Sequence, residues 1–484
     1  MFAYRNIFTE APRPDFIRTN PRAPWLAVGV VCFGAFMGQL DASIVTLTFR
    51  PMEHEFSSPL AAVQWVSLAY LLVLVALVTP AGRLADGVGR KLIYTYGFVV
   101  FTAGSLACGF APSLGILIGC RVLQAAGAAM LQANSVALVT TSVPPHRMRL
   151  ALSIQAAAQS VGLGLGPTLG GLLTQTVGWR AVYWINVPVG IIAVVAGRYL
   201  LPRTRQLSRT DSFDWLGATL LGVCTTALLV ALSVIGGLPV PGWFAAVMAA
   251  VAVAAAVAFA LRQRGARFPL IPPPLLRSAR LALGLAGAFL GYLVLFGPLV
   301  LIPQLRAGHG NALQTGLILS VLPVGFGVAA LTAESVFPAA MPNRTRGSIG
   351  AAVTAAALAM LVVMAGSTAG TVALLGVAGL GLGVFVPANN ALIMRSGAVS
   401  SAAVLGGLVN MARGIGTTFG IALVTLALHL AGPGPSRGAL AFGILAAAAA
   451  CAAAIAMAIR PLAPGTAPSE AGRQASAEHS GAFS

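Results

Sequence analysis

Fourteen apolar runs, each about as long as a lipid bilayer is thick, recur along this 484-residue chain and leave few folds open to it. A hydrocarbon slab about 30 Å thick is crossed by about 20 apolar residues of helix. The runs fall at roughly residues 25–49, 61–81, 92–111, 114–140, 151–174, 182–200, 214–236, 243–262, 281–304, 314–336, 347–365, 371–394, 402–429 and 438–459. With 58% hydrophobic and only 8% charged residues, the chain has too little polar surface for a soluble fold, so lipid is its solvent. The runs do not alternate polar with apolar residues, which excludes the strands of a barrel and predicts an all-α membrane protein with 14 transmembrane helices. Abundant glycine and proline do not oppose this, because small residues let helices approach closely and neighbours satisfy the backbone that proline frees.

An even number of spans puts both termini on one side, and the cations say which. Arg5, Arg13, Arg18 and Arg22 precede the first span, and Arg83, Arg90 and Lys91, then Arg147 and Arg149, occupy alternate loops. Arg203, Arg205 and Arg209, then Arg262 through Arg280, then Arg344 and Arg346 continue the series, while the opposite loops hold only scattered cations. By the positive-inside rule the rich loops and both termini are cytoplasmic, in a multi-pass protein of the cell membrane. The net charge of +18 is spread over short loops rather than gathered on one face, which points to anionic membrane lipids as partners and not to nucleic acid. Five cysteines lie inside apolar runs, where neither a metal site nor a disulfide framework is suggested. Residues 1–24 lack the pattern of a signal peptide and form a polar cytoplasmic segment. Residues 461–484, rich in Ala, Ser, Gly and Glu, read as a disordered cytoplasmic tail.

The segment Gly82-Arg83-Leu84-Ala85-Asp86-Gly87-Val88-Gly89-Arg90-Lys91-Leu92 is charged between two greasy runs and carries the only lysine of the chain. It resembles the loop between the second and third helices of the major facilitator superfamily, departing from that pattern at Gly87. Polar stretches at Pro202–Asp214 and Arg262–Arg280 flank two runs. The simplest division is therefore a six-helix bundle over 25–200, a linker with two extra helices over 201–280, and a second six-helix bundle over 281–460. That arrangement matches the fourteen-helix drug:proton antiporter branch (EmrB/QacA type). Leu40-Asp41-Ala42-Ser43-Ile44-Val45, Gln64-Trp65-Val66 with Tyr70, and Trp179-Arg180 through Ile185-Asn186-Val187-Pro188 resemble the same branch. The resemblance implies a major facilitator fold and proton-coupled multidrug or antibiotic efflux.

Two charges that lipid should exclude stand at one depth. Asp41 lies about 12 Å before the outer end of the first run, and Arg121 about 10 Å into the fourth. Such charges usually pair or face a wet cavity. Burial favours the neutral acid while a nearby arginine favours the carboxylate, so a small change of wetting or distance can move the proton. A proton switch at Asp41 and Arg121 is the functional reading, and a fixed pair that only holds helices together is the plain one. Both positions match the first-span acid and the fourth-span Arg-x-x-Gln-x-x-Gly pattern of the family, here Arg121, Gln124 and Gly127.

In the fifth run Gly162, Gly166 and Gly170 are one turn apart on a face without side chains. With Pro167 and Gly171 they resemble the antiporter motif of exporters, and close packing with no bearing on direction is the alternative. Gly82, Asp86, Gly89, Arg90 and Lys91 are expected to form a cytoplasmic gate, in which Asp86 can pair with Arg90 or a neighbouring arginine and can cap a helix start. A merely solvated topology signal would explain the cations but not Asp86. The matching loop of the second half keeps Arg344 and Arg346 without an acid. Glu334 is expected at the cytoplasmic edge beside those arginines.

A cavity for a lipophilic or amphipathic small molecule needs aromatic and polar residues near the midplane. Phe36, Gln39, Gln124, Gln155, Gln159, Tyr292, Phe296, Asn389, Asn410 and Arg413 are the candidates, each weighed against ordinary packing; Arg413 is placed at the cavity, at the substrate or near Asp86. No nucleotide loop, zinc pattern or nucleophile with its base is found, so the chain is not read as an enzyme. No cofactor is expected beyond a proton gradient. An importer or uniporter of a small metabolite on the same fold is the rival reading, and a membrane sensor that transports nothing is a more distant one.

Overall fold

In a computed structural model, the described residues are 10, 13–144, 147–204, 214–266, 278–306, 311–338, 340–364, 367–394, 402–432 and 436–459. The expected tail at 461–484, Arg5, Arg205 and Arg209, and the side chains of Arg149 and Glu334 lie outside them. Among the described residues the chain is helical, with no strand. The long helices are α1 (Ala23–Glu55), α2 (Leu60–Val88), α3 (Arg90–Gly109), α4 (Leu114–Ser142), α5 (Met148–Thr176), α6 (Ala181–Leu200) and α7 (Trp215–Ile235). They continue as α8 (Trp243–Gly265), α9 (Ala279–Leu305), α10 (Ala312–Val336), α11 (Asn343–Met364), α12 (Thr368–Met394), α13 (Ala402–Leu430) and α14 (Ser436–Ala458).

Thirteen of these are both long and apolar enough to cross a membrane. The other, α5, has 29 residues and is long enough, but its glycines and glutamines dilute its apolarity. Two boundaries differ from the sequence expectation. Helix α1 runs to Glu55 instead of ending near residue 49, passing through a 3-10 turn at Val45–Thr48. The helix outlasts its apolar run because its end, with Arg50, Glu53, His54 and Glu55, no longer needs lipid around it. The charged segment at 82–92 is also mostly helix: α2 continues to Val88, and only Gly89 breaks the path into α3. Gly89 has φ 126°, a conformation that glycine adopts without strain.

Helices α1 to α6 pack as one group, with α1 on α5 and α4, α2 on α4, and α3 on α4 and α6. Helices α9 to α14 form another, with α9 on α13 and α14, α10 on α12, and α11 on α12 and α14. The groups meet chiefly where α5 packs on α10 and α2 on α13. The α7–α8 pair lies against α2 and α13 through α7, and α8 is the least buried membrane helix. The end that carries Arg83, Arg90, Arg344 and Arg346 is called the basic end below.

Candidate functional site

Asp41 and Arg121 meet in the interior of the first helix group, 0% and 1% exposed. Arg121 Nη1 donates to Asp41 Oδ2 at 2.7 Å, and Arg121 Nε donates to the carbonyl of Val66 at 3.0 Å. The other carboxylate oxygen, Oδ1, accepts from Gln124 Nε2 at 2.9 Å and from Asn186 Nδ2 at 3.3 Å. Gln124 and Asn186 both donate to Ser105 Oγ, at 2.8 and 3.0 Å, and Gln124 Oε1 accepts from Arg121 Nη1 at 2.6 Å. The guanidinium also lies 4.1 Å from the ring centroid of Tyr70 and 5.7 Å from that of Tyr183. Five helices, α1, α2, α3, α4 and α6, thus converge on one carboxylate. Both charges are desolvated, so their attraction and the surrounding hydrogen bonds must offset a large penalty, and losing either partner would strand the other.

Tyr70 separates this network from a cavity of about 90 Å³ lined by Gln39, Gln132, Ser135, Gln159, Asn410 and Arg413, among others. The Tyr70 hydroxyl is buried without a hydrogen-bond partner among the described residues. Beyond Gln132, Val136 and Asn410, which line both spaces, lies a larger vestibule of about 650 Å³ that reaches Arg83, Asp86 and Arg90. The path to the basic end is therefore open. The other end is shut: Thr168 and Ser320 hydroxyls are 2.7 Å apart across α5 and α10, and Gly171 and Gly316 admit the backbone of the facing helix.

At the mouth of the vestibule Asp86 Oδ1 pairs with Arg90 Nη2 at 2.9 Å, the first of the arginines expected for it. The expected cap on a helix start comes instead from Glu10. Its Oε1 accepts from the backbone N–H of Lys91 at 3.1 Å and of Leu92 at 3.3 Å, and its Oε2 from that of Thr204 at 2.6 Å. Arg13 Nε donates to the Leu200 carbonyl at 2.8 Å. Lys91, which a solvated topology signal would expose, is 2% exposed. Gly82 faces Ala133 with room to spare.

The glycine face of α5 lies on α1, the helix that carries the acid. A side chain at Gly162 would meet the Phe36 carbonyl, at Gly166 the Ser43 hydroxyl, and at Gly170 the Ile44 carbonyl. Gly171 and the Pro167 carbonyl instead face α10, at Ala312 and Gly316.

Residues 31–421 match the profile of the Major Facilitator Superfamily. The chain belongs to that superfamily. The methylenomycin A resistance protein of Streptomyces coelicolor is 31% identical over 82% of this chain and 84% of its own. The tetracenomycin C resistance and export protein of Streptomyces glaucescens is 32% identical over 83% and 75%. The riboflavin transporter RibZ of Clostridioides difficile is 36% identical, but over only 43% of this chain and 46% of its own. A peptide transporter POT crystallised with sulfate shares the fold, with a TM-score of 0.68 and 14% identity over 95% of this chain and 98% of that one. The chain is thus a multi-pass transporter of small molecules and not an enzyme.

As a major facilitator, it distributes the sequence-derived cavity residues unevenly. Gln39, Gln159, Asn410 and Arg413 line the cavity, and Tyr292 lies beneath the Arg413 guanidinium with its ring centroid 5.5 Å away. Asp86 forms its ion pair with Arg90 and not with Arg413. The other candidates lie elsewhere. Gln124 belongs to the ion-pair network, and Phe36 packs over Gly162. Gln155 is buried, Phe296 joins the apolar core, and Asn389 donates to the Gly284 carbonyl at 2.8 Å. Sequence reasoning gave no role to Ser105, Asn186 or Glu10. Asn186 was visible as part of a resembling stretch, whereas Ser105 and Glu10 carry no periodic or charge-depth signal.

Proposed function

We propose that this transporter exports a lipophilic or amphipathic compound, of the antibiotic or multidrug kind, in exchange for protons by alternating access. The observation that carries the reading is the buried Asp41–Arg121 pair beside the cavity, separated from it by the Tyr70 ring. When the cavity opens toward the outside and water reaches Asp41, the acid takes a proton and releases Arg121. When the molecule returns to the form described here, Arg121 recaptures the carboxylate and the proton leaves toward the basic end, which is read as cytoplasmic together with both termini. The glycine face of α5 lets the acid-bearing helix shift during this cycle. The names of the two Streptomyces relatives support export of an antibiotic, and Asp86 and Arg90 are assigned the cytoplasmic gate.

The test is resistance and efflux across a panel of antibiotics and dyes in cells stripped of their own pumps, with flux direction read in inverted vesicles. Outward transport of at least one compound is expected. Net uptake would favour the second reading, carriage of a small metabolite, for which the likeness to a riboflavin transporter speaks.

A further inference from the structure

Arg413 is a charge in the middle of a membrane protein with no acid paired to it among the described residues. It sits about 16 Å along α13 from the basic end at 1.5 Å per residue. Among the described residues it enters no ion pair, and its one specific contact is the Tyr292 ring. The acids that might serve it are committed elsewhere. Asp41 has both oxygens bonded, to Arg121, Gln124 and Asn186, with Tyr70 between that network and the cavity. Asp86 is held by Arg90 at the mouth.

The remaining polar lining of the cavity, Gln39, Gln132, Ser135, Gln159 and Asn410, is uncharged. A lone intramembrane cation that faces a cavity marks a path for something that compensates it. The approach is cationic on balance: of the charged residues that line the vestibule below, Asp86 is paired with Arg90, which leaves Arg83 to favour an anion that enters from the basic end. A guanidinium offers a planar fork that matches a delocalised oxyanion, and the apolar part of the cavity wall, Leu74, Leu131 and Val136, suits an apolar body.

We propose that Arg413 is the anion-binding centre of the transport cavity, and that the transported compound is a small amphipathic anion carrying one carboxylate or phenolate on a largely apolar body. This rests on the export reading for its biological sense, but the binding chemistry does not depend on direction or on protons. If export is in exchange for one proton, each cycle moves two positive charges inward, so membrane potential as well as pH difference drives it.

Equilibrium binding of coumarin-3-carboxylate and of its uncharged carboxamide to the purified full-length protein tests the assignment, followed by quenching of tryptophan fluorescence. The carboxylate is expected to bind at least about tenfold tighter than the amide, a gap of the size seen for charge-assisted hydrogen bonds. Arg413→Gln removes the gap, and Arg413→Lys keeps part of it. Equal binding of the two probes to the wild type, no measurable binding of the carboxylate, or an undiminished preference in a folded Arg413→Gln protein overturns the proposal. Should Arg413→Gln fail to fold, the wild-type comparison and Arg413→Lys still decide. Selective anion binding without efflux would sink the export reading and leave this one standing, whereas efflux confined to cations does the reverse.

Discussion

Asp41 is held by three donors on two other helices, Arg121 and Gln124 on α4 and Asn186 on α6, so its environment is over-determined, and the consequences of removing a partner can be worked out group by group. Arg121→Ala leaves a buried carboxylate unpaired and should cost about 3–5 kcal/mol of stability, read by thermal unfolding in detergent. Adding Asp41→Asn to that variant should recover a good part of the loss. A double variant as unstable as the sum of the singles would show that the two side chains are not energetically coupled. At this scale the sequence is informative where a residue is expensive to place in lipid. Asp41 and Arg121 announce themselves by charge and depth. Ser105 and Asn186 do not, because a small neutral polar group in a helix is common and inexpensive once bonded. Glu10 is invisible for another reason: its partners at Lys91, Leu92 and Thr204 are far along the chain, and no local pattern links them.

For the helices, the apolar runs locate every span, but they do not say where a helix ends once it leaves lipid. That is why α1 extends to Glu55 and why α2 absorbs most of the charged segment before Gly89. The helix with the weakest apolar signal, α5, is the one whose surface is most specialised. Its glycines let α1 come close enough for the Phe36 and Ile44 carbonyls to approach the α5 backbone. Gly166→Leu should therefore abolish transport and lower expression of folded protein, since even a methyl group there would strike the Ser43 hydroxyl. Gly164→Ala is the matched control: its added carbon would meet Val324 at 3.5 Å, an ordinary contact, and efflux should be nearly unchanged. Equal damage from both substitutions would mean that helix propensity or insertion, and not the α1–α5 contact, is at fault.

Across the whole molecule, one end is open through the vestibule and the other is sealed by α5 against α10, which defines one of the two states that alternating access requires. Thr168→Cys with Ser320→Cys, in a background lacking the native cysteines, should lock the sealed end when oxidised. Efflux should stop and return on reduction; efflux that continues at full rate in the oxidised protein would mean that this end need not open. None of this asymmetry could be read from the sequence, because which inter-group contacts are closed is a property of conformation and not of composition. The account depends most on Asp41 carrying the coupled proton. Its most direct test is transport in proteoliposomes of the best exported compound from the efflux panel, wild type beside Asp41→Asn, once with an imposed pH gradient and once as gradient-free exchange of labelled for unlabelled compound. The prediction is that Asp41→Asn loses gradient-driven accumulation while exchange persists; accumulation at the wild-type level in Asp41→Asn would contradict it.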